Sequence, residues 1–157
     1  MPKIHIRAGV YRPQVDLRRL REAAVKTLAH QNIQDGVELT IAITSDDKIH
    51  ALNLKHRGVD APTDVLAFVE TETGAPFVAA PGEPSYLGDV VISFPRAEAQ
   101  AKAGGHSVVS ELTLLVVHGV LHLLGHDHAR AHEKRKMWTA QADILRELGV
   151  RIKIGEA

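Results

Sequence analysis

The chain has 157 residues, of which 45% are hydrophobic and 24% are charged, a normal composition for a globular domain with a hydrophobic core. This composition excludes a wholly disordered protein. The 19 Lys and Arg residues balance the 19 Asp and Glu residues, so the chain lacks the strong positive charge typical of many nucleic-acid-binding proteins. Because there is no cysteine, disulfides, thiolate metal ligands and cysteine nucleophiles are excluded, whereas ten histidines leave imidazole chemistry open.

The first half of the sequence predicts a long helix, two strands and a short helix. Apolar residues recur at helical spacing over residues 13–30, and they alternate with polar residues over residues 37–44 as in a half-buried strand. Ser45 is followed by two aspartates, which is typical of a helix start. A second strand is expected over residues 64–70.

The second half predicts a loop, a strand and three helices. Residues 71–85 contain two glycines and three prolines and are expected to form a loop. Pro95 suits the first turn of a helix, and Gly125 suits the end of one. The remaining elements are a strand over residues 87–94 and helices over residues 96–102, 107–124 and 130–148.

The order of these elements predicts an α+β, or mixed α/β, fold in which a single small mixed β-sheet is flanked by helices. Residues 1–157 are expected to form a single domain. The N-terminal segment has no apolar signal core, and the longest apolar stretch, residues 112–124, is too short to cross a bilayer. We therefore predict a cytoplasmic protein without membrane association.

Two histidines stand in the most apolar predicted helix. His118 and His122 are four residues apart, so both side chains project from one face of that helix. A buried imidazole without a partner costs about 1–3 kcal/mol, and a metal ion would be such a partner. His128 follows the turn at Gly125 and would supply a third ligand.

Three imidazoles suit Zn²⁺ or a similar divalent transition metal, and a water in the fourth tetrahedral position is typical of catalytic sites. The alternative is that His118 and His122 are satisfied core histidines and that His128 is merely exposed. Gly119 occupies the position at which zinc proteases of the HExxH type carry their general-base glutamate, so peptide hydrolysis is disfavoured. A glycine inside a helix costs about 1 kcal/mol relative to alanine and indicates a packing or access requirement.

Three ordered segments resemble the YbeY family of metal-dependent endoribonucleases. The sequence HGVLHLLGHDH, from His118 to His128, resembles the family signature. LNLKHRGVDAPTDVLAF over residues 52–68 resembles a second family motif, and LGDVVIS over residues 87–93 resembles a third. The sequence departs from the family pattern at His56, Ala67, Val69, His126 and Gln141. A glutamate would be expected at the last of these positions.

The resemblance implies a zincin-like site in which three histidines hold one zinc ion per chain. By match of position, His118, His122 and His128 would be the ligands, and Arg57 would be the functionally important arginine. The resemblance also implies a single-stranded RNA substrate, a role in maturing ribosomal RNA, notably the 3′ end of the small-subunit RNA, and a role in ribosome quality control. The implied partners are RNA and the ribosome or its proteins, and DNA is not expected among them.

Several other polar residues have both a functional and a structural interpretation. Asp127 is suited to accept a hydrogen bond from a ligand imidazole or to shape the turn, and Asp89 to support the site or to form a strand-edge turn. His126 and His132 would be further ligands or exposed histidines. Near Trp138, a run of basic residues would bind RNA or form a solvated helix face, and the second interpretation is favoured. These basic residues are Arg130, Lys134, Arg135 and Lys136.

The leading hypothesis is an endoribonuclease in which a metal-activated water attacks the phosphodiester and Arg57 binds the phosphoryl oxygens. The first alternative is a non-catalytic, metal-binding, ribosome-associated module, in which His126 or His132 would close the site as a fourth protein ligand. The second alternative is a zinc hydrolase that acts on another small substrate.

Overall fold

A mixed four-stranded sheet organises the fold. The computed structural model describes residues 1–33, 36–70, 85–127 and 129–152. The strands are β1 (Lys3–Arg7), β2 (Val37–Thr44), β3 (Val65–Val69) and β4 (Ser85–Ser93), and their order in the sheet is β1-β2-β4-β3. Strands β1, β2 and β4 are parallel, and β3 pairs antiparallel with β4 at one edge. The mixed sheet and the α+β class therefore agree with the sequence prediction.

Helices cover both faces of this sheet within the described residues. They are α1 (Leu17–His30), α2 (Asp46–Arg57), α3 (Phe94–Gly104), α4 (Val108–Leu123) and α5 (Ala131–Glu147), and a 3-10 helix (Gly9–Gln14) precedes α1. Helix α4 contacts α1, α3, α5 and strands β3 and β4. No single described helix is long and apolar enough to cross a membrane; α3 and α4 reach that length and apolarity only as a pair bent by 116°.

Alternate residues of β4 point into two separate apolar clusters. Val90 and Ile92 belong to the main core, which also contains most of the buried residues of α4. Val91 faces the other way and packs with Ile49 of α2 and with Leu66 and Phe68 of β3. This alternation is the normal consequence of a pleated strand. Because α4 is enclosed by helices on several sides and by the sheet, it can be apolar around almost its whole circumference.

Helix α4 approaches β4 so closely that position 119 has no room for a side chain. A Cβ atom at Gly119 would lie 2.5 Å from Cγ1 and 3.0 Å from Cγ2 of Val90, and Val90 is fully buried. The packing requirement that the glycine indicates in the sequence is therefore the contact with Val90.

The N-terminal elements differ from the sequence prediction. Strand β1 was not predicted, and the helix expected over residues 13–30 begins only at Leu17. The side chain of Asp16 accepts a hydrogen bond of 3.1 Å from the backbone N–H of Arg19 and so caps the helix. The loop predicted over residues 71–85 lies outside the described residues except for Ser85, which begins β4.

The contact between Gly119 and Val90 predicts that the effects of substitutions at these two positions are coupled. Alanine improves helix propensity by about 1 kcal/mol, but overpacking a core costs about 1–3 kcal/mol. We expect Gly119→Ala to lower the free energy of unfolding in the wild-type background and to lower it less in a Val90→Ala background, where the two methyl groups are gone and only the Cβ atom of residue 90, 3.3 Å away, remains close. Urea unfolding of the four proteins in this double-mutant cycle measures the coupling. A stabilising effect of Gly119→Ala in the wild-type background would contradict the prediction.

Candidate active site

Helix α4 presents two half-buried histidines on one face. The helix begins after Ser107, whose Oγ accepts a hydrogen bond of 3.1 Å from the N–H of Ser110. His118 and His122 lie one turn apart, and their ring centroids are 4.7 Å apart in an edge-to-face arrangement. Their Nε2 atoms are separated by 3.2 Å. The i, i+4 spacing read from the sequence therefore brings the two nitrogens together in space.

The geometry of this pair fits a shared zinc ion. Two nitrogens at about 2.0–2.1 Å from one tetrahedral ion lie about 3.3 Å apart, close to the 3.2 Å between His118 and His122. The same distance also suits a hydrogen bond in which one imidazole donates to the other. The two imidazoles fit zinc in the distance between their nitrogens and in ligand type, because neutral imidazole is a preferred zinc ligand.

Gln141 of α5 selects the tautomer of His118. Its Oε1 lies 3.0 Å from His118 Nδ1, and an amide oxygen accepts hydrogen bonds but does not donate them. Nδ1 therefore carries the proton, and Nε2 of His118 retains the lone pair that a metal ligand needs. In the sequence, Gln141 is visible only as a departure from the family pattern. A signal for its role was nevertheless present, because Gln141 is a polar residue among the apolar residues on the buried face of α5, and it is only 3% exposed.

Arg57 comes from the opposite face of the sheet. It is the last residue of α2, which ends at Gly58 in a left-handed conformation with φ +70°. Arg57 Nη2 donates a hydrogen bond of 2.8 Å to the carbonyl oxygen of Ala67, and its Cζ lies 4.8 Å from the ring centroid of Phe68. These two contacts hold the guanidinium against strand β3.

Arg57, His118 and His122 line one cavity of about 270 Å³, together with Gly119 and residues 63–67 of the β3 segment. We call this the histidine-pair cavity. The structure thus brings Arg57, which the sequence identified through the family resemblance alone, to the same cavity as the two histidines of α4.

Among the described residues that line this cavity, Asp64 is the acidic one. No pattern in the sequence singles it out. Its Oδ1 accepts a 2.7 Å hydrogen bond from the N–H of Val65, and its Oδ2 accepts one of 3.3 Å from Gln100 Nε2. Gln100 also donates to the buried Glu111 at 3.0 Å, and Glu111 lies 2.6 Å from His106 Nε2. This network ties β3 to α3 and α4, so Asp64 fixes the wall of the cavity. A polar residue before a strand is too common a pattern to reveal such a role.

His128, the third ligand predicted from the sequence, lies outside the described residues, and its role stays a prediction. In the part of the chain that the structure describes, no group of three or more His, Cys, Asp or Glu side chains is arranged to hold a metal ion. Just before His128, Asp127 Oδ1 accepts a 3.2 Å hydrogen bond from the N–H of Ala129. This contact supports the turn-shaping interpretation of Asp127.

His126 and His132 line a different depression, a groove of about 560 Å³ between α1 and α5. We call it the α1–α5 groove. His126 Nε2 lies 2.6 Å from Oε1 of Gln31 and donates a hydrogen bond to it. Burial lowers the pKa of His126, and the positive charges of Lys136 and His30 lower it further. The structure therefore places His126 and His132 apart from the histidine-pair cavity rather than as additional ligands there.

The basic residues of α5 do not share one environment. Arg135 and Lys136 are exposed and line the α1–α5 groove. Lys134 Nζ instead lies 4.6 Å from the ring centroid of Trp138, which is partly buried. The exposure of Arg135 and Lys136 and the partial burial of Trp138 agree with a solvated helix face, and RNA binding by this run stays a prediction.

Asp89 belongs to a polar cluster on the sheet and is not among the residues that line the histidine-pair cavity. It accepts a hydrogen bond from the hydroxyl of Tyr86, which lies 2.6 Å from Thr40 Oγ1 on β2. A bulge opposite Glu38 and Leu39 shifts the register of β4 here and lets Tyr86 and Asp89 meet. Burial, reinforced by the hydrogen bond to Asp89, raises the pKa of Tyr86 to about 12.

The fold and the cavity together define a class of α+β protein in which a buried helix carries an i, i+4 histidine pair beside an antiparallel edge strand and an arginine. The profile of one family, described as Endoribonuclease YbeY, matches residues 8–149 of this chain. The chain belongs to the YbeY family.

Individual relatives agree with this assignment. The Endoribonuclease YbeY of Chloroflexus aurantiacus is 47% identical over 136 residues, which are 86% of this chain and 88% of that protein. The Endoribonuclease YbeY of Geobacillus kaustophilus is 47% identical over 135 residues, which are 85% of this chain and 84% of that protein. The solution structure of TM1509 from Thermotoga maritima superposes with a TM-score of 0.60 at 28% identity and covers 94% of this chain and 89% of that one. The resemblance inferred from three short motifs is confirmed.

The cluster around Tyr86 predicts a specific loss of stability at alkaline pH. The phenol of an unfolded chain ionises near pH 10, whereas that of Tyr86 has a pKa of about 12 in the folded protein. Between these values the unfolded state releases a proton that the folded state keeps, so the free energy of unfolding falls as the pH rises. We expect urea unfolding to show a smaller fall for Tyr86→Phe than for the wild type from about pH 10 to about pH 12. Tyr11→Phe is the matched control and should retain the contribution of Tyr86; equal falls in wild type and Tyr86→Phe would contradict the assignment.

Proposed function

We propose that this protein is a metal-dependent endoribonuclease that cuts single-stranded RNA. The observation that carries the proposal is the 3.2 Å separation between the Nε2 atoms of His118 and His122 on a cavity that Arg57 also lines. Membership of a family whose members are named Endoribonuclease YbeY supports RNA as the substrate. The cavity of about 270 Å³ is close to the smallest size usual for small-molecule sites, about 300 Å³, so it suits one unpaired nucleotide better than a duplex.

The metal we propose is Zn²⁺, one ion per chain, or another divalent transition metal with the same preference for imidazole. His118 and His122 would bind it through Nε2, and His128 would complete the protein ligands. When bound, such an ion makes hydroxide available near neutral pH, because it lowers the pKa of a coordinated water toward 7. Gln141 keeps His118 in the tautomer that this coordination needs.

Arg57 would bind the phosphate at which the strand is cut. Negative charge increases on the phosphoryl oxygens when the phosphodiester is attacked, and guanidinium N–H groups are suited to stabilise it. The carbonyl of Ala67 and the ring of Phe68 hold this guanidinium against β3 before any substrate arrives. Less conformational freedom is therefore lost when the phosphate binds.

Ribosomal RNA, in particular the 3′ end of the small-subunit RNA, is the substrate that we propose within this activity, together with a role in ribosome quality control. The family resemblance of the three sequence motifs supports this finer proposal. The ribosome or its proteins as partners and a cytoplasmic location belong to the same proposal. The alternative of a non-catalytic module would need a fourth protein ligand, and the hydrogen bond of His126 to Gln31 in a separate groove favours the enzyme.

The proposal predicts metal-dependent cleavage of a labelled single-stranded RNA by the purified protein. His122→Ala and treatment with a chelator should each abolish cleavage, because both remove the metal site. Arg57→Ala should reduce kcat by about 10²–10³-fold, the usual cost of a lost transition-state donor, and Arg57→Lys should recover only part of it, because an ammonium does not bind phosphate bidentately.

The matched control for this experiment is His50→Ala, a histidine on α2 that is paired with Asp60 and does not line the cavity. It should cleave at the wild-type rate. Cleavage that survives both the chelator and His122→Ala would overturn the metal mechanism. A zinc-loaded wild type that cuts no RNA would instead favour the binding module.

Gln141 provides a prediction about zinc affinity that does not depend on cleavage. Loss of a hydrogen bond to a ligand imidazole typically weakens metal binding about 10–100-fold. We expect this loss for Gln141→Leu, which removes the acceptor for His118 Nδ1, whereas Gln141→Glu keeps an acceptor and should bind zinc at least as tightly as the wild type. Competition with a chromophoric chelator measures the affinity, and circular dichroism checks the fold of each variant. Equal zinc affinities of Gln141→Leu and the wild type would show that this hydrogen bond does not orient His118.

A further inference from the structure

The histidine-pair cavity is too small to account for the binding of an RNA strand. Its volume of about 270 Å³ suits about one nucleotide. Proteins that bind single strands without a strong sequence preference contact about 4–16 nucleotides on each binding domain. If the proposed function is correct, the nucleotides next to the one that is cut must bind to another part of this surface.

The α1–α5 groove has the size and the charge for that task. Its volume is about 560 Å³, roughly twice that of the histidine-pair cavity. Arg135 and Lys136, both exposed, provide two permanent positive charges on the α5 side. The acidic residue of the lining, Asp143, forms an ion pair with Arg146 at 3.4 Å.

The opposite wall of the groove is held by hydrogen bonds between histidine and glutamine side chains. His30 Nδ1 lies 2.9 Å from Gln31 Nε2, and Gln31 Oε1 lies 2.6 Å from His126 Nε2. This arrangement links the end of α1 to the turn that follows α4. Polar groups held in this way are ordered before a ligand binds, which reduces the entropy lost on binding.

The groove is continuous with the turn that leads to the third predicted metal ligand. His126 and Lys136 line the groove and also line a smaller hollow, to which Gly125 and Asp127 contribute. These residues directly precede His128 in the sequence. Helix α5 also carries Gln141, which contacts His118. One helix therefore forms part of the groove and supports the histidine pair.

We propose that the α1–α5 groove binds backbone phosphates of the single RNA strand on one side of the nucleotide that is cut, with Arg135 and Lys136 as the phosphate contacts. The inference rests on the proposed function. Phosphates are favoured over an apolar partner because two exposed cations, Arg135 and Lys136, line the groove. The groove would thus lengthen the binding site without taking part in the chemistry.

The test compares Arg135→Ala/Lys136→Ala with a charge-matched control, Arg18→Ala/Lys102→Ala. Arg18 and Lys102 are exposed residues of α1 and α3 that do not line the groove. Binding of a fluorescent single strand of about 20 nucleotides is measured over a range of KCl concentrations in the His122→Ala background, so that the RNA stays intact. Cleavage of an RNA of about 4 nucleotides is measured in the otherwise wild-type protein.

The groove variant should bind the long RNA about tenfold more weakly at low salt. Its plot of log affinity against log salt should also be less steep, by about 1.4 in slope, or about 0.7 for each lost phosphate contact. The control should keep the wild-type slope and should cleave the short RNA at the wild-type rate, and circular dichroism checks the fold of the groove variant. An unchanged slope and affinity in the groove variant would overturn the inference and would leave the groove to a protein partner. If the protein neither binds nor cleaves either RNA, the proposed function fails as well, so the two failures are distinguishable.

Discussion

The close approach of α4 to β4 is the constraint on which the candidate site depends. Gly119 has no side chain, so the helix can lie directly against Val90. The same helix carries His118 and His122, and the distance between helix and sheet therefore sets how far the histidine pair lies from β3. A larger residue at position 119 would move the helix and change the position of both imidazoles. The geometry of a polar site is thus decided by the packing of apolar atoms.

Three polar groups of the cavity, Arg57, Asp64 and His118, are each held by a second element of the fold. Gln141 of α5 orients His118, the carbonyl of Ala67 on β3 holds Arg57, and Gln100 of α3 holds Asp64. Side chains constrained in this way need little rearrangement when a ligand binds, which is the arrangement that favours both metal binding and electrostatic stabilisation of a developing charge.

The net charge of the chain does not indicate which charges on its surface are available to a ligand. Equal numbers of acidic and basic residues give a formal charge of zero, yet acidic residues such as Glu111 and Asp46 are engaged in contacts with His106 and Arg96. Two cations of α5 face a groove in which the acidic residue is already paired. Local pairing therefore decides which charges are available to an anionic ligand, and composition does not report it.

The sequence by itself determined the elements whose patterns are local. The apolar run of α4, its i, i+4 histidines, the Ser45 cap of α2 and the alternation of β2 are all confirmed, because helix periodicity, capping and strand alternation depend on near neighbours. Strand β1 could not be predicted in this way, since its partner β2 follows after a whole helix. Only the tertiary structure placed Arg57 in the same cavity as the two histidines, and Gln141 within hydrogen-bond distance of His118. These residues lie on elements far apart in the sequence, and no local pattern encodes a distance through space.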